Sequence, residues 1–265
     1  MNNIIKRSFN YVRYVRKTRG FKYLLGEVCF VAARISLRNY FQPSLSDFNS
    51  SGFISYHNGT DVIAKILPTT NSKQMGALLN EYFDLSRRLE TRLSSPRLEI
   101  EPESRLLLYM LVRLARPKTV VETGVANGVS TFFILNALRS NNFGLLTSID
   151  ISVDVATFLN DDEKQRWNLE VLDVRKNPRK QFEEIINNLP NISIYLHDSD
   201  HSYTWQKMEY MSAYSRLEQG GILLSDDVDS SYAFIDIFGR STKIDDLRNK
   251  GILIGASKIF GFITK

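Results

Sequence analysis

The chain has 265 residues, enough for one large α/β domain with an appended segment and short of two full domains. Hydrophobic residues make up 43% and charged residues 24%, ordinary values for a chain that buries its own core. A lone cysteine, Cys29, excludes an internal disulfide framework and a cysteine-built zinc site, and no apolar run reaches the roughly 18 residues that cross a bilayer.

The formal charge of +5 is unevenly spread. Residues 1–40 carry nine Lys or Arg against Glu27 alone, a net +8, which leaves −3 for the rest of the chain. The pI near 9.2 therefore describes a basic arm on a mildly acidic body. Tyr23 to Leu37 is the most apolar early stretch, but Glu27 and Arg34 break it, and it reads as neither a span nor a signal peptide. The expected location is cytoplasmic, where the sequons at Asn58 and Asn191 carry no weight.

In chain order, residues 1–40 predict one or two amphipathic helices, with Gly20 as a break. Residues 41–71, rich in Pro, Gly, Ser and Asn, predict a loop-rich connector with a short strand or helix at Asp61 to Leu67. Helical periodicity follows over Gln74 to Leu93 and Glu103 to Ala115, the latter stopped by Pro117. From Thr119 the pattern becomes alternating short strands and helices. Strands are expected at Thr119–Glu122, Leu145–Ile149, Leu169–Leu172, Ile192–Leu196 and Gly221–Leu224, with helices at Ser130–Leu138, Arg179–Asn188 and Tyr203–Leu217 between them. Ile252–Ile254 and Lys258–Thr264 predict a closing antiparallel pair. Repeated β-α units imply a doubly wound, mostly parallel sheet with helices on both faces. The expected division is residues 1–71 as arm and connector and 72–265 as the α/β domain.

The first β-α turn reads Glu122-Thr123-Gly124-Val125-Ala126-Asn127-Gly128. Gly124 permits positive φ, and the helix behind it offers free N–H groups. The second strand ends at Asp150, an acid placed to accept from the two hydroxyls of a ribose. A nicotinamide cofactor needs a G-x-G-x-x-G turn, and the residue two after Gly124 is Ala126. Glu122 would also repel a pyrophosphate. Downstream, the fourth strand ends in His197-Asp198-Ser199-Asp200-His201, and the fifth in Ser225-Asp226-Asp227. Acids at adjacent strand ends repel one another unless protonated or neutralised, and a hard divalent cation neutralises them. Each of these residues also has a plainer reading as a turn glycine, a helix cap or a packing residue; Asp200, His197, His57, Tyr203 and Trp205 are assigned only such roles.

Glu122-x-Gly124-x-x-x-Gly128 resembles the first motif of class I S-adenosylmethionine-dependent methyltransferases, and the resemblance covers residues 100 to 265. It implies a seven-stranded Rossmann-like sheet. It also implies that Glu122, Gly124 and Gly128 hold the methionine end, Asp150 the ribose and Asp173 the adenine. The Asp198-x-x-His201 spacing is similar to the metal-dependent small-molecule O-methyltransferases, in the branch of macrolide-sugar methyltransferases and cephalosporin-hydroxylase-like proteins. That implies Asp198, Asp226 and Asp227 as ligands of Mg²⁺ and His201 as the general base for O-methylation, titrating near neutral pH. The branch often has Glu-Asp where this chain has Asp226-Asp227, which departs from its pattern.

The expected acceptor is a hydroxyl of a small molecule or sugar. Nucleic acid is not expected, since the body is negative and the Pro-Pro-containing motif of base methyltransferases is missing after the fourth strand. The alternatives are a cephalosporin-hydroxylase-like enzyme of the same fold and a non-catalytic cofactor-binding or interaction protein. For the arm, packing on its own domain or on a partner copy in a homo-oligomer is set against peripheral contact with an anionic membrane.

Overall fold

The computed structural model describes residues 42–93, 100–240, 244 and 247–265. The expectations for residues 1–40 lie outside the described residues. After a short helix α1 (Leu45–Ser50) come β1 (Ile54–Tyr56), α2 (Gly59–Ile66), α3 (Ser72–Glu90) and α4 (Pro102–Ala115). The alternating part runs β2 (Thr119–Thr123), α5 (Val129–Asn141), β3 (Leu145–Asp150), α6 (Asp161–Lys164), β4 (Trp167–Val171), α7 (Pro178–Asn188), β5 (Ile192–His197), α8 (Tyr203–Arg216) and β6 (Leu217–Ser225). A 3-10 turn (Val228–Ser230), α9 (Ala233–Phe238), β7 (Asn249–Ile254) and β8 (Ile259–Thr264) complete it.

The eight described strands form one sheet in the order β1-β7-β8-β6-β5-β2-β3-β4. Only β8 runs against its described neighbours, antiparallel to β6 and β7. From β2 the chain steps outward through β3 to β4 and then returns to place β5 on β2's other flank. The order therefore reverses between β2 and β5, the place where open α/β sheets bind ligands beyond their carboxyl ends.

Period-2 alternation splits the strands cleanly. Val120, Leu146, Ile194, Leu196, Ile222 and Leu224 face one layer with α3, α4 and α5. Val121, Ile149, Tyr195, Leu223 and Ile263 face the other, against α7, α8 and α9. Central strands are apolar on both faces because both are covered, as parallel sheets require. α5 is nearly all buried, including Phe132, Phe133, Ile134 and Leu135.

Two differences from expectation have a local cause. Residues 42–71 are not mainly loop: α2 stands where a short strand or helix was expected, but α1 and β1 come before it, and β1 pairs with β7 through Ile54–Gly251, Ser55–Ile252 and Tyr56–Leu253. The sheet thus has eight strands, and the edge strand comes from before residue 72. A three-residue strand is too short to show alternation, so only its pairing defines it. β4 begins at Trp167, two residues before the expected Leu169, and is an outer strand whose exposed residues blur the pattern. Among the described residues, no helix is long and apolar enough to cross a membrane.

Candidate functional site

Backbone bonds that continue past the strands bring the sequence-predicted turns together. Gly124 N–H donates to the Ile149 carbonyl, Asp198 N–H to Thr123 and Asp226 N–H to His197, each at 2.9 Å. The ends of β3, β2, β5 and β6 are thereby stitched side by side, and with them Asp150, Gly124, Asp198 and Asp226.

The glycine turn is strained for any other residue. Gly124 has φ +79° and Gly128 φ +84°, and Ala126 between them also has positive φ. A Cβ on Gly124 would lie 2.0 Å from the Asp198 carbonyl oxygen, and one on Gly128 would lie 2.3 Å from the Ala156 Cβ. The glycines thus let the β5 and β3 loops close onto the turn, a packing reason beside the ligand-approach reason. Gly128 caps α5 with no side-chain partner, so the first N–H groups of that helix lack a side-chain cap.

Asp150 braces this turn. Its Oδ2 accepts from Val125 N–H at 2.8 Å and Ala126 N–H at 3.4 Å, and Oδ1 from Ile151 and Ser152 N–H. Glu122 is fully buried; its Oε2 accepts from Thr131 Oγ1 and Ser148 Oγ, while Oε1 has no partner among the described residues. Burial pushes its carboxyl up, against the lowering effect of the hydroxyls of Ser130, Ser148 and Thr131. Asp173 follows β4, where Arg175 holds its carboxyl below the usual range through two bonds at 3.0 Å. It does not cap α7, which is capped by Asn177.

On the other side of the turn, His201 lies between two acids, with Nε2 3.9 Å from Asp198 Oδ1 and Nδ1 3.5 Å from Asp227 Oδ2. Its Nε2 makes no hydrogen bond among the described residues. Burial first, and then His197, push the His201 imidazole down to about 4. The imidazole is therefore neutral at pH 7, and burial holds it well below the neutral region that the sequence suggested. A fifth of the Asp198 side chain meets solvent, yet dense packing and the Asp226 charge hold its carboxyl well above the ordinary value. Asp226 is pushed up to about 6 by burial and by Asp227.

Sequence reasoning missed two residues here. Lys258, just before β8, places Nζ 3.1 Å from Asp226 Oδ2 and 3.0 Å from Asp227 Oδ2. Glu209 of α8 is buried beneath the end of β5. Its Oε2 accepts from Thr123 Oγ1 (2.7 Å), Tyr195 Oη (2.8 Å) and His197 Nδ1 (2.6 Å), and its Oε1 from Ser199 Oγ (2.7 Å) and Trp205 Nε1 (2.5 Å). Burial works to raise this carboxyl, but His197 and the hydroxyl donors outweigh it and hold it below the ordinary value. Thr123 and His197 are register partners and Tyr195 lies two residues from His197, so all three face α8 together. His197 and Trp205 thus both donate to the Glu209 carboxylate, and Asp200 accepts from the N–H of Ser202, the cap of α8.

The arrangement is a poor seat for a divalent ion as it stands. Asp226 and Asp227 converge on the Lys258 ammonium, and among the described residues no three acid or imidazole groups form a metal shell. A divalent ion about 4 Å from that ammonium would be repelled by roughly 8 kcal/mol at an effective dielectric of about 20. The residues that the resemblance assigns to the methionine end and the ribose are chemically compatible with such a cofactor: a turn with positive φ, an uncapped helix start, the Asp150 carboxylate and the unpartnered Glu122 Oε1.

Residues 121–228 match the family model described as a methyltransferase domain. That stretch of the chain is thus similar to a methyltransferase domain. A proposed O-methyltransferase from Klebsiella pneumoniae has a similar fold at 16% identity and TM-score 0.50, over 77% of this chain and 94% of that one. The cofactor-bound Rv0187 from MTB is similar at 14% identity and TM-score 0.50, over 77% and 95%. At these identities the likeness is one of fold. No curated protein matches this chain.

Proposed function

We propose that this protein binds S-adenosylmethionine at the β2–β3 edge and transfers its methyl group to a hydroxyl of a small molecule or sugar, with His201 as the base. The observation that carries this reading is the placing of His201. It presents an unpartnered Nε2 between Asp198 and Asp227, on the loop that packs against the Gly124 turn. Gly124, Gly128 and Glu122 would hold the amino-acid end and Asp150 the ribose. Asp173, one strand further out, would lie on the adenine side. The bound cofactor supplies an electrophilic methyl on a sulfonium.

The protein's part is orientation and proton removal. An alkyl hydroxyl is a poor nucleophile until its proton leaves. His201 Nε2 would take that proton, leaving the oxygen able to accept the methyl that the cofactor would supply. Asp227 beside Nδ1 favours the tautomer that leaves Nε2 free and stabilises the imidazolium that results. The Mg²⁺ implied by the resemblance does not fit beside the Lys258 ammonium.

Calorimetry tests the cofactor assignment. S-adenosylmethionine or its demethylated product should bind and NAD should not. Asp150→Ala should weaken binding by about 1.5 to 3 kcal/mol, roughly 10- to 100-fold. Binding of NAD, or equal affinity in the variant, would overturn the reading.

A further inference from the structure

We propose that Lys258 fills the seat of a divalent cation in the acid cluster, so that this protein neutralises its active-site carboxylates from within the chain and takes up no metal. The proposal rests on the functional reading above only for the cluster's role in methyl transfer; the occupancy of the seat stands on geometry alone.

Three acids come to one end of the sheet from two adjacent strands, and a cluster of that kind needs positive charge. The charge is already there. Lys258 Nζ donates to Asp226 Oδ2 at 3.1 Å and sits 3.0 Å from Asp227 Oδ2, so it bridges the two consecutive carboxylates as a shared ion would. Asp226 is almost wholly buried, and burying a carboxylate demands a partner of opposite charge. The fold holds Lys258 in place. β8 lies antiparallel beside β6, pairing Ser225 with Gly261, and Ile259 N–H donates to Asp229 Oδ1 at 3.3 Å. Gly255 N–H donates to the Lys258 carbonyl at 2.9 Å and closes the β7–β8 turn. Lys258 is thus anchored on both sides by backbone bonds, and its side chain spans the mouth of β6.

An ammonium has three N–H donors and no acceptor. Two serve Asp226 and Asp227. The third is free among the described residues to hold the acceptor hydroxyl oxygen while His201, beside Asp227, removes its proton.

The test is Mn²⁺ uptake by the full chain, followed by electron paramagnetic resonance of free Mn²⁺ on chelator-treated protein, in wild type, Lys258→Ala and Lys258→Gln. Wild type should take up none, and each variant should gain one site per chain at least tenfold tighter than any wild-type binding. Stoichiometric Mn²⁺ on wild type, with affinity unchanged by either substitution, overturns the proposal. So does a failure of all three proteins to bind, because the acids would then not be a cation seat. Calorimetry with S-adenosylhomocysteine on the same samples separates the two readings. Loss of that binding in wild type refutes the functional proposal, while the Mn²⁺ result still decides the role of Lys258. If Lys258→Ala unfolds, Lys258→Gln keeps the stem's bulk and carries the comparison.

Discussion

Replacing Glu209 with Gln removes one charge and exchanges one acceptor for a donor at a point where five donors converge. The least damaging placement puts the amide NH₂ on the Oε1 side, since Ser199 can rotate to accept from it. Trp205 N–H then faces another N–H and loses its partner. An orphaned buried donor costs about 1 to 3 kcal/mol. The bonds from Thr123, Tyr195 and His197 survive but lose charge assistance, which roughly doubles such bonds, so about 0.5 kcal/mol or more is lost at each. Relief of burying a charge offsets part of this. The net loss is about 2 to 4 kcal/mol, a fall in Tm of roughly 5 to 15 °C for a domain of this size. Thermal melting followed by Trp205 fluorescence and by far-ultraviolet circular dichroism measures it. Glu209→Ala should fall further, because all five donors lose their acceptor. A Glu209→Gln melt within about 2 °C of wild type would refute the claim that this carboxylate holds β2, β5 and α8 together.

His201→Ala should lower kcat by roughly 10² to 10⁴, the usual worth of a general base, with S-adenosylhomocysteine affinity unchanged by calorimetry. Because burial pushes His201 down to about 4, the wild-type rate should show no limb from it between neutral and mildly acidic pH; a His201-dependent limb near pH 7 would show that the imidazole is solvated rather than held down by burial. Glu81 offers a stability test remote from the site. The bond from Arg113 holds its carboxyl below the usual value, so its contribution is full above the ordinary glutamate pKa and is lost as pH falls through the lowered folded value. The Tm difference between wild type and Glu81→Gln should therefore shrink on acidification, and a difference that grows would contradict the sign.

The sequence by itself determined the class of fold and the place of the glycine turn. Strand-sized apolar runs from Thr119 onward, each followed by a helical period, specify parallel β-α units because backbone satisfaction and burial are local demands. Gly124 and Gly128 were legible for the same reason: their positive φ is a property of the turn they sit in. Asp150, Asp198, Asp226 and Asp227 were legible because strand ends in such a sheet share one edge. What only the tertiary structure decided is what faces those acids. Lys258 lies 32 residues from Asp226 and reads as an unremarked cation ahead of a strand until β8 turns back beside β6. Glu209 reads as a polar residue on a helix until register puts Thr123, Tyr195 and His197 under it. β1 is three residues whose only definition is their bond to β7. Charge and hydrogen-bond partners in a folded chain are chosen by proximity in space. A sequence pattern sees only the neighbours along the chain, so it located the acids and left their counter-charge to the fold.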